Sequence, residues 1–525
     1  MNQILDKLRI TLCLTPLLVA LLGGCASKLL TQQNPKLTRI DPHSGYRYDL
    51  LSTHDNSDSL FIMLSFSGGG TRAASLAFGV LEALREHEIT WMGQKKRVLD
   101  EIDVISSVSG GSFTAAYFGL FGDRIFDDFE KKFLKRNVEA ELLAELVSPR
   151  NLLRLGSPYF DRIHIAAEFY DREIFDRQTY KSLIESRKKP YVVINATDLG
   201  LQSRFEFTQP QFDKICYDLS TIPVSVAVAA SSAYPVWLSP MTLENQWDES
   251  GCGGTPNLTS FERPKFENDT SAHRTEFVDR NYRDYKNTKY IHLVDGGISD
   301  NLGLGKTTDA ISGADSDLSH RMEAPMKIPS GGGIWPFHFR EEKSIKPDVE
   351  LLIIVNAGTD NSESRHAIGK MRRAPGWLAV AQDATSIAMR NASQQTLTLA
   401  REYAWPRAER RGDVSMEREG GRDPCAPEHW RPKQLKQEWK RGEWILGAEP
   451  DPRWRIIQRN RFVVEITFDR IKSEETRTAV NALDSNFSLA TEDVDGLRDV
   501  GRKLLDESDE WCRFLHRVDS EHPSN

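Results

Sequence analysis

Leu60-Phe61-Ile62-Met63-Leu64-Ser65-Phe66-Ser67-Gly68-Gly69-Gly70-Thr71-Arg72-Ala73 is the stretch whose pattern sets the fold. Leu60 to Ser65 is a short, continuous apolar run, the length and pattern of a strand buried on both faces. Three glycines follow, and from Arg72 to His87 the residues Leu76, Val80, Leu81 and Leu84 recur at helical spacing. Strand, glycine turn and helix in that order open a parallel α/β sheet.

The alternation continues along the chain. Ile102 to Ser106 is strand-like and stops at Ser107-Val108-Ser109-Gly110-Gly111, after which Phe113 to Phe121 is helical. Residues 123–190 are mostly helical and amphipathic, and suit a cap over one end of the sheet. Tyr191–Asn195, Tyr290–Val294, Val349–Asn356 and Phe462–Phe468 supply further strands. Pro223–Ala233 is a small-residue helix, and Glu492–Glu507 a closing one. Residues 308–346 are polar, contain Ser330-Gly331-Gly332-Gly333, and are expected to form an insertion.

With 525 residues, 39% hydrophobic and 27% charged, the composition is that of an ordinary globular protein. A net charge of −8 without a basic stripe excludes nucleic acid as a partner. Lys7 and Arg9 precede an apolar run, Ile10–Leu22, which is shorter than the ~20 residues that span a bilayer and reads as a targeting segment. It ends in Leu22-Gly23-Gly24-Cys25, which resembles the lipobox of bacterial lipoproteins. That resemblance implies a signal peptide over 1–24, acylation of Cys25 at the new N-terminus, and a lipid-anchored place in the cell envelope. Ala26, where aspartate would go with inner-membrane retention, leans towards the outer membrane. Residues 25–58 then form a tether. Cleavage removes Cys13 and leaves Cys216, Cys252, Cys425 and Cys512 besides Cys25. Four cysteines in an oxidising setting allow three pairings, of which Cys216–Cys252 with Cys425–Cys512 is the one expected.

Three segments carry chemistry: Ser67–Ala73, Ser107–Gly111 and Asp295-Gly296-Gly297. A nucleophile on a strand-to-helix turn needs small residues two positions to either side, because its strained backbone leaves no room. Ser107-x-Ser109-x-Gly111 meets that need, with serine in place of the first glycine. The turn also puts Ser109 at a helix N-terminus, where the dipole favours developing negative charge. Acyl transfer creates an oxyanion, and backbone N–H groups reach it only where the chain approaches closely. Gly68, Gly69 and Gly70 are therefore candidate donors or shapers of an oxyanion hole. The rival reading of these glycines, a phosphate cradle, lacks the lysine and hydroxyl residue of a P-loop. Leu302-Gly303-Leu304-Gly305-Lys306-Thr307 ends like a nucleotide motif, but Asp300 stands where the required glycine would be, so no nucleotide partner is expected. His87-Glu88 lacks the second histidine of a zinc site, and no metal or other cofactor is implied. Asp295 ends an apolar strand, the place where an α/β sheet presents reactive groups. It is the candidate base, provided that burial raises its basicity.

Strand–GGGxR–helix, then the serine turn, then DGG far downstream resembles the patatin-like phospholipase family over roughly residues 60–305. The resemblance implies a three-layer α/β/α patatin-like fold with a mainly parallel central sheet and helical additions. It makes Ser109 the nucleophile and Asp295 its base, with Gly68, Gly69 and Gly70 in the oxyanion hole and Arg72 and Gly110 in support. Ser107 and Ala73 depart from the family spelling, each a small residue for a glycine. Ala229–Pro235 and Asn195–Asp198 resemble structural segments of that family. Arg72 has two readings, a salt-bridged residue at the helix start or direct help at the oxyanion. His366, His429 and His516 lack a surrounding motif and are set aside as triad members.

The expected organisation is a hydrolase domain over 59–395 and a C-terminal extension over 396–525 that partly completes the sheet. The expected activity is hydrolysis of acyl esters in membrane phospholipid or another acyl lipid. A thioesterase or acyltransferase on the same dyad, or a non-catalytic binding lipoprotein, are the alternatives.

Overall fold

The computed structural model describes residues 36–248 (without 42, 52–55, 58, 187 and 236), 252, 270–304, 349–359, 385–387, 389–398, 416–418, 425, 430–432 and 461–519. Residues 1–35, with the expected signal segment and Cys25, lie outside the described residues, as do the expected insertion at 308–346, His366 and His429.

The strands are β1 Leu60–Phe66, β2 Glu88–Trp91, β3 Gln94–Arg97, β4 Ile102–Val108, β5 Tyr191–Asp198, β6 Ser203–Glu206, β7 Met241–Glu244, β8 Tyr290–Asp295, β9 Val349–Asn356, β10 Met416–Arg418, β11 Trp430–Pro432 and β12 Arg461–Thr467. Eight of them form one sheet in the order β12-β9-β1-β4-β5-β8-β7, with β6 also on β5. Pairing is parallel from β12 through β9, β1 and β4 to β5. It is antiparallel where β6 and β8 meet β5 and where β7 meets β8. Helices complete the three-layer α/β/α arrangement that the sequence implies. Every residue of β1, β4 and β5 is buried, as a parallel sheet covered on both faces requires.

The helices used below are α1 Gly70–Glu86, α2 Gly110–Phe121, α3 Arg162–Glu173, α4 Val224–Ser231, α5 Thr491–Asp506 and α6 Asp509–Asp519. α1 leaves β1 through the glycine run, and α2 leaves β4 through Ser109. The C-terminal part belongs to the same core: β12 is the sheet's edge strand beside β9, and α5 packs along α1. The hairpin β2–β3 and α6 pack together beside them.

Two features differ from expectation. Part of the expected tether is held in the core: Tyr46 is buried, accepts a hydrogen bond from Val192 N–H at 2.8 Å, and stacks on Tyr191 with ring centroids 4.7 Å apart. Burying so large an aromatic body, with its hydroxyl satisfied, outweighs the polar character of its neighbours. The strands β6 and β7, four residues each, have too little periodicity to be read in advance.

The register of β5 positions the site. Its residues Asn195–Asp198 pair with β6, so β6 occupies one edge there. β4 pairs with Tyr191–Asn195 and β8 with Ala196–Asp198, which leaves both on the opposite edge. β4 and β8 therefore run towards each other along one edge of β5 and stop head to head. Val108 faces Asn195, and Asp295 faces Ala196. The residue after Val108 is Ser109.

Candidate active site

Ser109 precedes the first residue of α2 with φ +48° and ψ −120°. A side chain at positive φ is strained, and two contacts hold it. The Ser109 N–H donates to Ser231 Oγ at 2.8 Å, and the Ser109 hydroxyl donates to Asp295 Oδ2 at 2.9 Å. Small neighbours make the turn possible. A methyl on Gly110 would lie 2.0 Å from the Gly70 carbonyl oxygen, so the serine turn and the glycine run approach closer than any side chain would allow. Ser107 lies within β4, where its hydroxyl donates to the Val193 carbonyl at 3.2 Å. The departure from glycine there sits in regular strand and leaves the strained turn untouched.

Asp295 ends β8 and is 2% exposed. Its Oδ1 accepts the Gly297 N–H at 2.8 Å, leaving Oδ2 for Ser109. Burial pushes its carboxyl up to about 6, against the smaller opposing effects of the bonds from Gly297 and Ser109. Ser109 is 7% exposed.

Ser231 lies in the Ala229–Pro235 segment that the sequence reading gave a structural role, though no local signature marks this serine within it. It pins the junction of three segments. Its hydroxyl donates to the Asn195 carbonyl at 2.6 Å, so the 3.0 Å contact with Ser112 has Ser112 as donor. Its own carbonyl accepts the Gly296 N–H at 3.0 Å, and the next turn's Ala233 carbonyl accepts the Asp295 N–H at 3.0 Å. Asn195 completes the tie, donating from Nδ2 to Ser106 Oγ and the Ser107 carbonyl, both at 3.0 Å.

The glycines divide their work. Gly68 gives its N–H to the Asn301 carbonyl at 3.1 Å, and a methyl there would come 2.5 Å from Asn301 Oδ1 and 3.3 Å from Ser109 Cβ. It shapes the wall beside the serine, and its N–H is not directed at a substrate. Gly69 and Gly70 have φ of +139° and +59°, turning the chain from β1 into α1 in a way that side chains rarely permit. Of these, Gly70 meets Gly110 beside the Ser109 turn. The serines inside β1 and β4 also become intelligible: Ser65 and Ser106 donate to the Leu302 and Gly303 carbonyls, the latter at 2.6 Å. They bind the loop after Asp295 across the strand ends.

Arg72 takes neither expected role. Its guanidinium is buried and donates to the Ala357 carbonyl at 3.1 Å, to Ser485 Oγ at 2.7 Å and to the Leu483 carbonyl. Burial lowers it to about 10, with the Asp484 charge acting the other way. The Asn486 carbonyl accepts the Thr71 N–H at 2.8 Å, and a methyl on Gly70 would lie 2.2 Å from that oxygen. Arg72 therefore ties the segment 483–486 against the glycine turn. Its partners lie between 285 and 413 positions away in the chain, beyond the reach of any motif. Among the described residues no histidine bonds to Ser109 or Asp295; His516 lies in α6.

A family model described as patatin-like phospholipase matches residues 64–306. No curated protein matches the chain. Among solved structures, the human GIVD cytosolic phospholipase A2 is similar at 12% identity and a TM-score of 0.42, covering 89% of this chain and 63% of its own. The chain thus spans less than two thirds of that protein's length. VipD from Legionella pneumophila is similar at 10% identity and a TM-score of 0.23, covering 92% and 73%. Residues 64–306, which include both Ser109 and Asp295, belong to the patatin-like phospholipase family.

Proposed function

We propose that this chain is an envelope acyl-ester hydrolase of phospholipase A or lipase type, working through a Ser109–Asp295 dyad and held to its membrane by an acylated Cys25. The carrying observation is the 2.9 Å bond from a strained, helix-capping Ser109 hydroxyl to a buried carboxylate raised to about 6. Such a carboxylate is a far better base near neutral pH than an exposed aspartate. In the proposed reaction Asp295 accepts the hydroxyl proton as Ser109 Oγ attacks the ester carbonyl carbon. The tetrahedral oxyanion draws on the N–H groups of Gly69, Gly70 and Gly110 and on the N-terminal dipole of α2. Collapse expels the alcohol, which takes the proton from Asp295, and leaves an acyl-serine. Water, losing a proton to the same carboxylate, then releases the fatty acid and restores the hydroxyl.

The anchor rests on Lys7, Arg9, the apolar run and Cys25, and intact-mass measurement of the membrane-extracted chain tests it. The dyad is tested with a fluorophosphonate probe, which is expected to label the wild-type chain and to spare Ser109→Ala. Equal labelling of a folded Ser109→Ala chain, or wild-type turnover of short acyl esters by it, would defeat the assignment.

A further inference from the structure

The helical segment before α3 carries several large apolar side chains that no described residue covers. Leu143, Val147, Leu152, Leu153 and Tyr159 are between 50 and 64% exposed, and Trp237 is 58% exposed. The charged residues between 140 and 160 are Glu141, Glu145, Arg150 and Arg154. Glu141 pairs with Arg136, Glu145 with Arg172, and Arg154 with Glu168, so three of these four charges are neutralised against α3 and its flank. Arg150 is left exposed among the apolar residues. Five large apolar side chains exposed within 17 residues of one helical segment mark a contact surface.

The surface is linked to the site. The helix Val138–Leu146 packs on α3, and α3 on α4, whose last residue is Ser231. From Ala233, whose carbonyl bonds to Asp295 N–H, to Trp237 is four residues, a reach of at most roughly 14 Å. Ser239 Oγ then accepts the Ile163 N–H at 3.2 Å, which joins the loop of Trp237 to the start of α3, four residues after Tyr159. The apolar face and the Ser109–Asp295 pair are thus held together by one continuous set of contacts.

We propose that this face is an interfacial docking surface for a phospholipid bilayer, which lays the dyad against its substrate independently of any N-terminal anchor. The proposal rests on the lipid-hydrolase reading for its orientation, and three observations favour a lipid surface as occupant. The exposed side chains are aliphatic together with Trp237 and Tyr159, and such amphipathic rings settle at the headgroup boundary. Within 140–160 the exposed charge is the cation Arg150, complementary to lipid phosphate. The face is also joined to the pair that would receive the ester through α3, α4 and the loop of Trp237. Among the described residues no helix is long and apolar enough to cross a membrane, so contact of this kind lies on the bilayer rather than through it.

The test uses the full chain with Ser109→Ala to remove hydrolysis and Cys13→Ser and Cys25→Ser to leave no free thiol. An environment-sensitive dye is attached at Leu152→Cys or, as a control, at Met92→Cys in the β2–β3 turn, which is 74% exposed. With phosphatidylcholine–phosphatidylglycerol vesicles, the dye at 152 is expected to shift to the blue and to be quenched by brominated acyl chains, while the dye at 92 stays in water. Insertion of the N-terminal run alone would move neither dye and would overturn the proposal. So would a shift at 152 that needs no vesicles and grows with protein concentration, which assigns the face to a second copy. In the catalytically intact chain, Val147→Asp with Leu153→Asp is expected to lower hydrolysis of vesicle lipid about tenfold and to leave turnover of a short soluble ester unchanged. An equal loss on both substrates overturns it. Absent turnover of the soluble ester by the unaltered chain would instead refute the hydrolase reading and leave the dye result standing.

Discussion

At Asp295 the dominant influence is removal from water, and it acts on two measurable quantities at once. Burial favours the protonated form in the folded chain, where the carboxyl titrates at about 6 against 3.8 for the free side chain. Below the lower value both folded and unfolded chains hold the proton, and the stabilising effect of protonation is complete. As the pH rises through about 6 the folded chain must ionise a buried group that the unfolded chain ionised earlier, so stability falls between about 4 and 6 and is level above. Two pK units correspond to about 3 kcal/mol. Asp103 beside Lys189 is also raised to about 6 by burial, so wild type alone does not isolate the effect. Asp295→Asn does: its stability advantage over wild type is expected to grow across this window to about 3 kcal/mol, read by urea unfolding at pH 4, 6 and 8. Acyl-ester turnover should move oppositely, rising about tenfold per pH unit up to about 6 in wild type and vanishing in the variant. Ser109, Asp295 and the glycines were legible because nucleophile turns and close approaches restrict residue type locally. Ser231 and Asn195 were legible only as members of segments given a structural role, and Asn301 not at all, because they act on distant segments, a task that leaves no local spelling.

Between elements, the decisive contact is the crossing of α1 and α5. A methyl on Gly79 would lie 2.2 Å from the Arg498 carbonyl oxygen, and one on Gly501 would lie 2.6 Å from the Leu76 oxygen. The two backbones touch where each helix has a glycine. Gly496, also in α5, faces open space. The two classes of glycine should respond with opposite sign. Gly79→Ala forces the helices apart and is expected to destabilise by about 1–3 kcal/mol, with loss of acyl-ester turnover as 483–486 leaves the glycine turn. Gly496→Ala meets nothing, gains helix propensity, and should stabilise by about 1 kcal/mol. Urea unfolding of the two variants beside wild type checks both. Periodicity foretold the α5 helix almost to the residue, since Glu492–Glu507 was expected and Thr491–Asp506 is observed. Its partner was invisible in the same letters, because amphipathic spacing says that a face is buried and not against what.

Across the whole molecule, one sheet gathers strands from residue 60 to residue 467, and the head-to-head meeting of β4 and β8 makes the site from segments nearly 190 residues apart. Strand identity was readable from apolar runs, whereas the meeting depends on register along β5, which no run specifies. The disulfides act at this same scale. Cys216–Cys252 closes 36 residues and Cys425–Cys512 closes 87, in the pairing expected from the sequence. The longer loop contains β12, α5 and the 483–486 segment that holds the glycine turn through Arg72 and Thr71. Restricting the unfolded chain by loops of these lengths is worth roughly 4 and roughly 5 kcal/mol respectively. Their loss should differ in consequence as well as size. Cys512→Ser removes the constraint on the segment that braces the site, so fluorophosphonate labelling of Ser109 should disappear at lower urea than the global unfolding measured by tryptophan fluorescence. Cys216→Ser loosens a satellite cluster around Trp247 and should lower both midpoints together. Coincident midpoints in Cys512→Ser would show that the C-terminal segment does not open separately, and that the brace on the glycine turn survives without its bridge.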